Sequence, residues 1–130
     1  MQAKFICHPD FESVMPKNDV FHKEIDRRKM PPVERKYLNR HILFRKKVSL
    51  AKAESAVLRI TADDYYKLYI NGKFVTQGPA PSYPNCYYYN EIDVKDYLCE
   101  GENVIAVHTY YQGLINRVWF SGDMREMMWC

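Results

Sequence analysis

No stretch of the 130-residue chain approaches the ~18–20 apolar residues needed to span a membrane. The opening residues, MQAKFICHPDFE, lack the basic stretch followed by an apolar run that marks a secretory leader, so the chain is expected to be cytoplasmic. None of the four cysteines (Cys7, Cys86, Cys99 and Cys130) forms a CxxC pair, and no histidine stands at zinc-finger spacing. The cysteines therefore read as reduced thiols, and neither a metal nor a cofactor is expected. No Ser or Cys sits in a nucleophile elbow, and no glycine-rich loop is built to cradle phosphate. There is no long amphipathic helix and no internal repeat. Together these absences predict a chain with no complete active site of its own.

What remains is material for one core. The length suits a single domain, apolar residues make up 47% of it and aromatics 15%, with 11 tyrosines. Tyrosine favours strands and half-buried surfaces. The net charge of +3 is unevenly spread: Met1 to Leu50 holds 12 basic against 6 acidic residues, and Ala51 to Cys130 holds 7 against 10. The basic residues lack the regular face or glycine-rich spacing of a nucleic-acid motif. They read as a solvated loop beside a basic edge strand, so neither nucleic acid nor a membrane is expected as a partner.

Along the chain, Asp26 to Lys36 is an exposed loop, because Pro31-Pro32 cannot continue a helix or join a ladder. From Arg40 the pattern has period two. Ile42, Phe44, Val48 and Leu50 share one face and His41, Arg45 and Lys47 the other, which predicts a half-buried strand. Lys46 interrupts the inner row and predicts an edge or a bulge. A second strand is expected over Ser55 to Thr61, with Ala56, Leu58 and Ile60 on one face. Asn71-Gly72 between Tyr65–Ile70 and Lys73–Thr76 is a strong hairpin signal. Gly78 to Pro84, with three prolines, reads as a stiff loop leading into a strand over Tyr87 to Ile92. Val94 to Leu98 fits a single helical turn and Glu100 to Asn103 a turn. Val104 to Tyr111 reads as the best core strand: Val104, Ala106, His108 and Tyr110 face one way, Ile105, Val107, Thr109 and Tyr111 the other. A last strand is expected near Arg117 to Phe120. Several short strands with turn chemistry between them predict an all-β sandwich or jelly roll. Residues 1–39 read as an irregular N-terminal segment with short strands, packed on or flanking the sandwich, and residues 40–130 as the sandwich domain.

Few constellations carry chemistry. Asp63-Asp64 with Glu91 offers carboxylates for calcium or for acid–base work, but neighbours on a strand point to opposite faces. The pair fits better as a strand-start turn bonded to local backbone. His8, His22, His41 and His108 do not cluster in sequence, and His108 within its strand reads as a hydrogen-bonded core or interface residue. The tyrosines leave two readings open. Aromatic faces stack on sugar rings, which makes Tyr83, Tyr87, Tyr89 and Tyr111, with Arg117, candidate carbohydrate contacts. Alternatively, alternate tyrosines fill the core while the others cover a neighbouring domain.

The runs ITADDYYKLYINGKFVTQGPAPSYPNCYYYNEIDV (Ile60 to Val94) and YLCEGENVIAVHTYYQGLINRVWFSGD (Tyr97 to Asp123) give a resemblance. The stretch from Val57 to Asp123 resembles the N-terminal β-sandwich module of bacterial α-L-rhamnosidases of glycoside hydrolase family 78. A shorter pattern of the same kind is shared with sugar-binding-like domains of β-galactosidases. The resemblance implies a galactose-binding-like jelly roll. It also implies a parent enzyme that removes terminal α-L-rhamnose with acidic residues of a separate (α/α)6 barrel, which this module braces. No catalytic residue carries over to this chain. A jelly roll of that family continues beyond an apolar tail such as Met124 to Cys130, which predicts a C-terminally truncated sandwich. Its unpaired sheet edge would pair copies of the chain. The alternative function is an independent carbohydrate-binding module contacting rhamnosides.

Overall fold

A computed structural model describes residues 4–11, 39–62, 65–80, 88–111 and 127–129 of the chain. The strands are β1 (Phe5–Cys7), β2 (Arg40–Leu50), β3 (Val57–Ala62), β4 (Tyr65–Ile70), β5 (Lys73–Gly78), β6 (Asn90–Asp93), β7 (Gly101–Tyr111) and β8 (Met127–Trp129). They form two four-stranded antiparallel sheets, ordered β1-β8-β3-β6 and β2-β7-β4-β5. The architecture is an all-β sandwich, as the patterning predicts.

The period-two reading of β2 holds. Ile42, Phe44, Val48 and Leu50 are half-buried and the other residues of the strand are exposed. Lys46 marks an edge, not a bulge: β2 is the outermost strand of its sheet, and its register with β7 runs unbroken from Arg40↔Tyr111 to Leu50↔Gly101. The bulge lies elsewhere, where the β4–β5 register shifts between Leu68 and Tyr69.

The hairpin forms as predicted. Asn71 (φ 51°) and Gly72 (φ 78°) both take the left-handed backbone that a type I′ turn needs. Asn71 also ties the hairpin to the start of β7. Its backbone N–H donates to the Val104 carbonyl, its Oδ1 accepts from the Val104 N–H, and its Nδ2 donates to Asn103 Oδ1. Asn103 is fully buried, and its remaining bonds go to Cys99 and Gly101. That network explains a correction. Glu100 to Asn103 is not a free turn: β7 begins at Gly101, and the Asn103 side chain supplies the turn's hydrogen bonds from within the strand.

The core lies between the sheets. Ile60 and Ala62 of β3 pack with Tyr66, Leu68 and Ile70 of β4, Val107 of β7, and Val94, which precedes a single 3-10 turn over Lys95–Tyr97. Buried threonines are satisfied: Thr61 Oγ1 donates to the Tyr88 carbonyl and Thr109 Oγ1 to the Ile42 carbonyl. The first of these bonds stands where the ladder was expected. The strand predicted from Tyr87 begins only at Asn90, because Tyr88 is held by the Thr61 hydroxyl and not by a backbone pairing. Two further readings change. β5 runs on to Gly78, and the apolar tail, for which no strand was named, contains β8, which lies between β1 and β3. The strand expected near Arg117 to Phe120 and the acidic pair Asp63-Asp64 lie outside the described residues.

Candidate functional site: the outer face of the β2-β7-β4-β5 sheet

Strand alternation sends every second residue of β2, β7, β4 and β5 away from the core, and cross-strand register sets which of them meet. One row runs His41, Tyr110, Tyr65. The next runs Leu43, His108, Lys67, Gln77. The rows border a groove of about 730 Å³. Its floor is aromatic: the Tyr110 ring lies 4.8 Å from that of His41 and 6.4 Å from that of Tyr65, with interplanar angles of 30° and 26°. The Tyr110 hydroxyl donates to Asn39 Oδ1 at 2.6 Å, which fixes the ring at the groove's end.

The two histidines meet diagonally across β2 and β7. His41 Nδ1 and His108 Nε2 are 2.9 Å apart, so a single proton lies between them. His108 titrates below the ordinary imidazole value, first because it is partly buried, then because His41 and Lys67 both disfavour its charged form. Lys67 has no ion-pair partner among the described residues, and no described residue of the lining is a carboxylate. Among the described residues, the groove can therefore offer an aromatic row, hydrogen-bonding side chains and one positive charge with no acidic partner.

The sequence-nominated residues do not meet here. Tyr83, Tyr87 and Arg117 lie outside the described residues. Tyr89 is exposed but belongs to the approach to β6, in the other sheet, and does not line the groove. Tyr111 is 3% exposed on the inner face of β7, so of that tyrosine pair it is Tyr110 that reaches the groove. Glu91 is engaged with Arg59, whose Nε donates to it at 2.7 Å. The signal for the groove was present in the alternation that put His108 and Tyr110 on one face. Missing was the register that sets His41, Tyr65 and Lys67 beside them. No group of three or more potential metal ligands occurs among the described residues.

Comparison with known proteins places this fold. No curated protein matches the chain. Among solved structures, the chain is similar to a family 78 rhamnosidase of Bacillus sp. GL1: 32% identity, TM-score 0.64, covering 70% of this chain and 10% of that one. It is also similar to the α-L-rhamnosidase of Aspergillus terreus, with 31% identity and TM-score 0.53 over 69% of this chain and 12% of that one. A β-glucuronidase from an uncultured Clostridium sp. shares the fold at 15% identity and TM-score 0.50, over 98% of this chain and 27% of that one. The chain thus spans about a tenth of the length of the rhamnosidases it matches. The family model described as the α-L-rhamnosidase N-terminal domain matches residues 51–126, which bears out the resemblance read from the sequence, and leaves Asn39 and His41 of the groove before its first residue. With more than half of its residues matched by that model, the chain belongs to the α-L-rhamnosidase N-terminal domain family.

Proposed function

We propose that the chain is a non-catalytic module of an α-L-rhamnosidase-like glycoside hydrolase, an enzyme that removes terminal α-L-rhamnose from glycosides, and that it braces the enzyme's catalytic (α/α)6 barrel. The family match carries this reading. The chemistry of the groove supports it. Glycoside hydrolysis generally uses two carboxyl groups placed on either side of the scissile bond. The described lining of the groove contains none, and Glu91 is held by Arg59. Incubation of the purified chain with a nitrophenyl α-L-rhamnoside is expected to release no nitrophenol above the buffer rate. Turnover that follows the protein through purification would overturn the reading.

The groove favours a second role within the same enzyme. Stacked tyrosine rings beside hydrogen-bonding side chains are the furniture of a sugar site. On this reading the module also holds carbohydrate, through Tyr110, Tyr65 and the histidine pair. Isothermal calorimetry with rhamnose and simple glycosides tests it: no heat at millimolar sugar would remove the second role and leave the bracing role intact.

A further inference from the structure

We propose that the groove on the outer face of the β2-β7-β4-β5 sheet selects an acidic sugar, a uronate residue of a glycan, with the Lys67 ammonium pairing the sugar's carboxylate. This rests on the carbohydrate-binding role above and adds the ligand's charge to it.

Four observations converge. First, the groove is built on the sandwich's long strands, with β7 as an interior strand, so its rows are fixed by ladder hydrogen bonds and not by loops. Second, Tyr110 is stacked between His41 and Tyr65, giving a continuous apolar aromatic row against which a pyranose ring can pack. Third, the polar groups around that surface are hydrogen-bonding side chains: Gln77, Asn39 and the His41–His108 pair, whose facing nitrogens are 2.9 Å apart. These suit hydroxyls. Fourth, Lys67 stands in the middle of the second row with no acidic partner among the described residues. The contrast with the same face a few residues away is informative: Lys47 of β2 is matched by Glu102 of β7 at 2.9 Å. Arg45, outside the groove's lining but in the next row from His108 and opposite Ala106, is a second cation without a described acidic partner. A neutral sugar would leave these cations with no acidic partner among the described residues; a carboxylate at C6 complements them.

Methyl β-D-glucuronide and methyl β-D-glucoside differ only at C6, carboxylate against hydroxymethyl, and so isolate the charge. Calorimetry on the whole chain at low salt is expected to show the glucuronide binding at least tenfold more tightly than the glucoside. Raising the salt to about 0.5 M should weaken the glucuronide and not the glucoside, because the Debye length then falls to a few ångströms. Lys67→Gln should remove the preference and Lys67→Arg should keep most of it. Lys67 is exposed, so both variants should keep the parent's circular dichroism; if either does not, the glucuronide–glucoside pair and the salt series on the parent chain still decide. Equal binding of the two sugars would overturn the charge assignment while leaving the sugar-binding role standing. Acetate competing as well as glucuronide would reduce the site to a general anion site and overturn the proposal. No heat with either sugar would overturn both readings.

Discussion

Along β4, Tyr66, Leu68 and Ile70 are at most 1% exposed, while their neighbours Tyr65 and Lys67 lie in the open groove. β7 repeats the contrast: Val107, Thr109 and Tyr111 are buried, and His108 and Tyr110 face outward. The same backbone therefore makes two surfaces of different kinds. The inner one is held by apolar area removed from water, which tolerates exchange only between apolar residues of similar volume. The outer one is defined by which side chains the register sets side by side. Stability should concentrate on the first and recognition on the second.

The sharpest way to break this contrast is to truncate adjacent residues of β4. Leu68→Ala should cost about 2–5 kcal/mol, since the side chain is fully buried and its cavity cannot refill. Lys67→Ala should change stability by less than about 0.5 kcal/mol. Urea unfolding of the two variants measures both. Comparable losses would mean that the outer face is as much a packing surface as the inner one.

A smaller effect is expected where β5 ends. A Cβ at Gly78 would come within 2.6 Å of Asn90 Oδ1 and 3.1 Å of Tyr66 Oη. Those two atoms are hydrogen-bonded to each other at 2.9 Å, and burial pushes the Tyr66 phenol up to about 12. Gly78→Ala must displace that pair, at about 1–3 kcal/mol of overpacking. Thermal melts of Gly78→Ala and of Gly78→Ala/Tyr66→Phe compare the mechanism: removing the hydroxyl should return part of the loss. Smaller again, Asn71→Ala should cost about 1–2 kcal/mol, from a strained positive φ and the bonds lost to Asn103 and Val104.

The inner face was readable from the sequence because burial imposes a period. Ile105, Val107, Thr109 and Tyr111 alternate, and Asn71-Gly72 names its own turn. The groove was not readable, because it depends on distance in sequence and not on pattern. His41 and His108 meet across 67 positions, and nothing local to either announces the other. The tyrosine count pointed toward a sugar site, but a count has no register, so the nominated residues were those close together in the chain. β8 was missed for a related reason. Three residues are too few for a period-two signal, and the strand exists through its non-local pairing with β1 and β3.

The histidine pair on the outer face gives the smallest effect. His108 is approached by His41 from β2, by Lys67 from β4 and by Tyr110 on its own strand, with Gln77 beyond Lys67 on β5. No described carboxylate is among them. Its folded pKa therefore lies below the ordinary value of 6.5, and the unfolded chain takes up this proton first as the pH falls. The stability that neutral His108 contributes is complete above pH 6.5 and is lost as the pH drops toward the folded pKa. Denaturant midpoints followed from neutral pH downward should hold above pH 6.5 and decline below it as this proton is taken up. His108→Gln keeps a neutral polar group in the row and should make that decline shallower while leaving the midpoint at the upper end of the range little changed. An unchanged slope would place the acid sensitivity elsewhere in the chain. A midpoint lost at every pH would instead show that His108 is a packing residue, and the separation between the two faces would fail at β7.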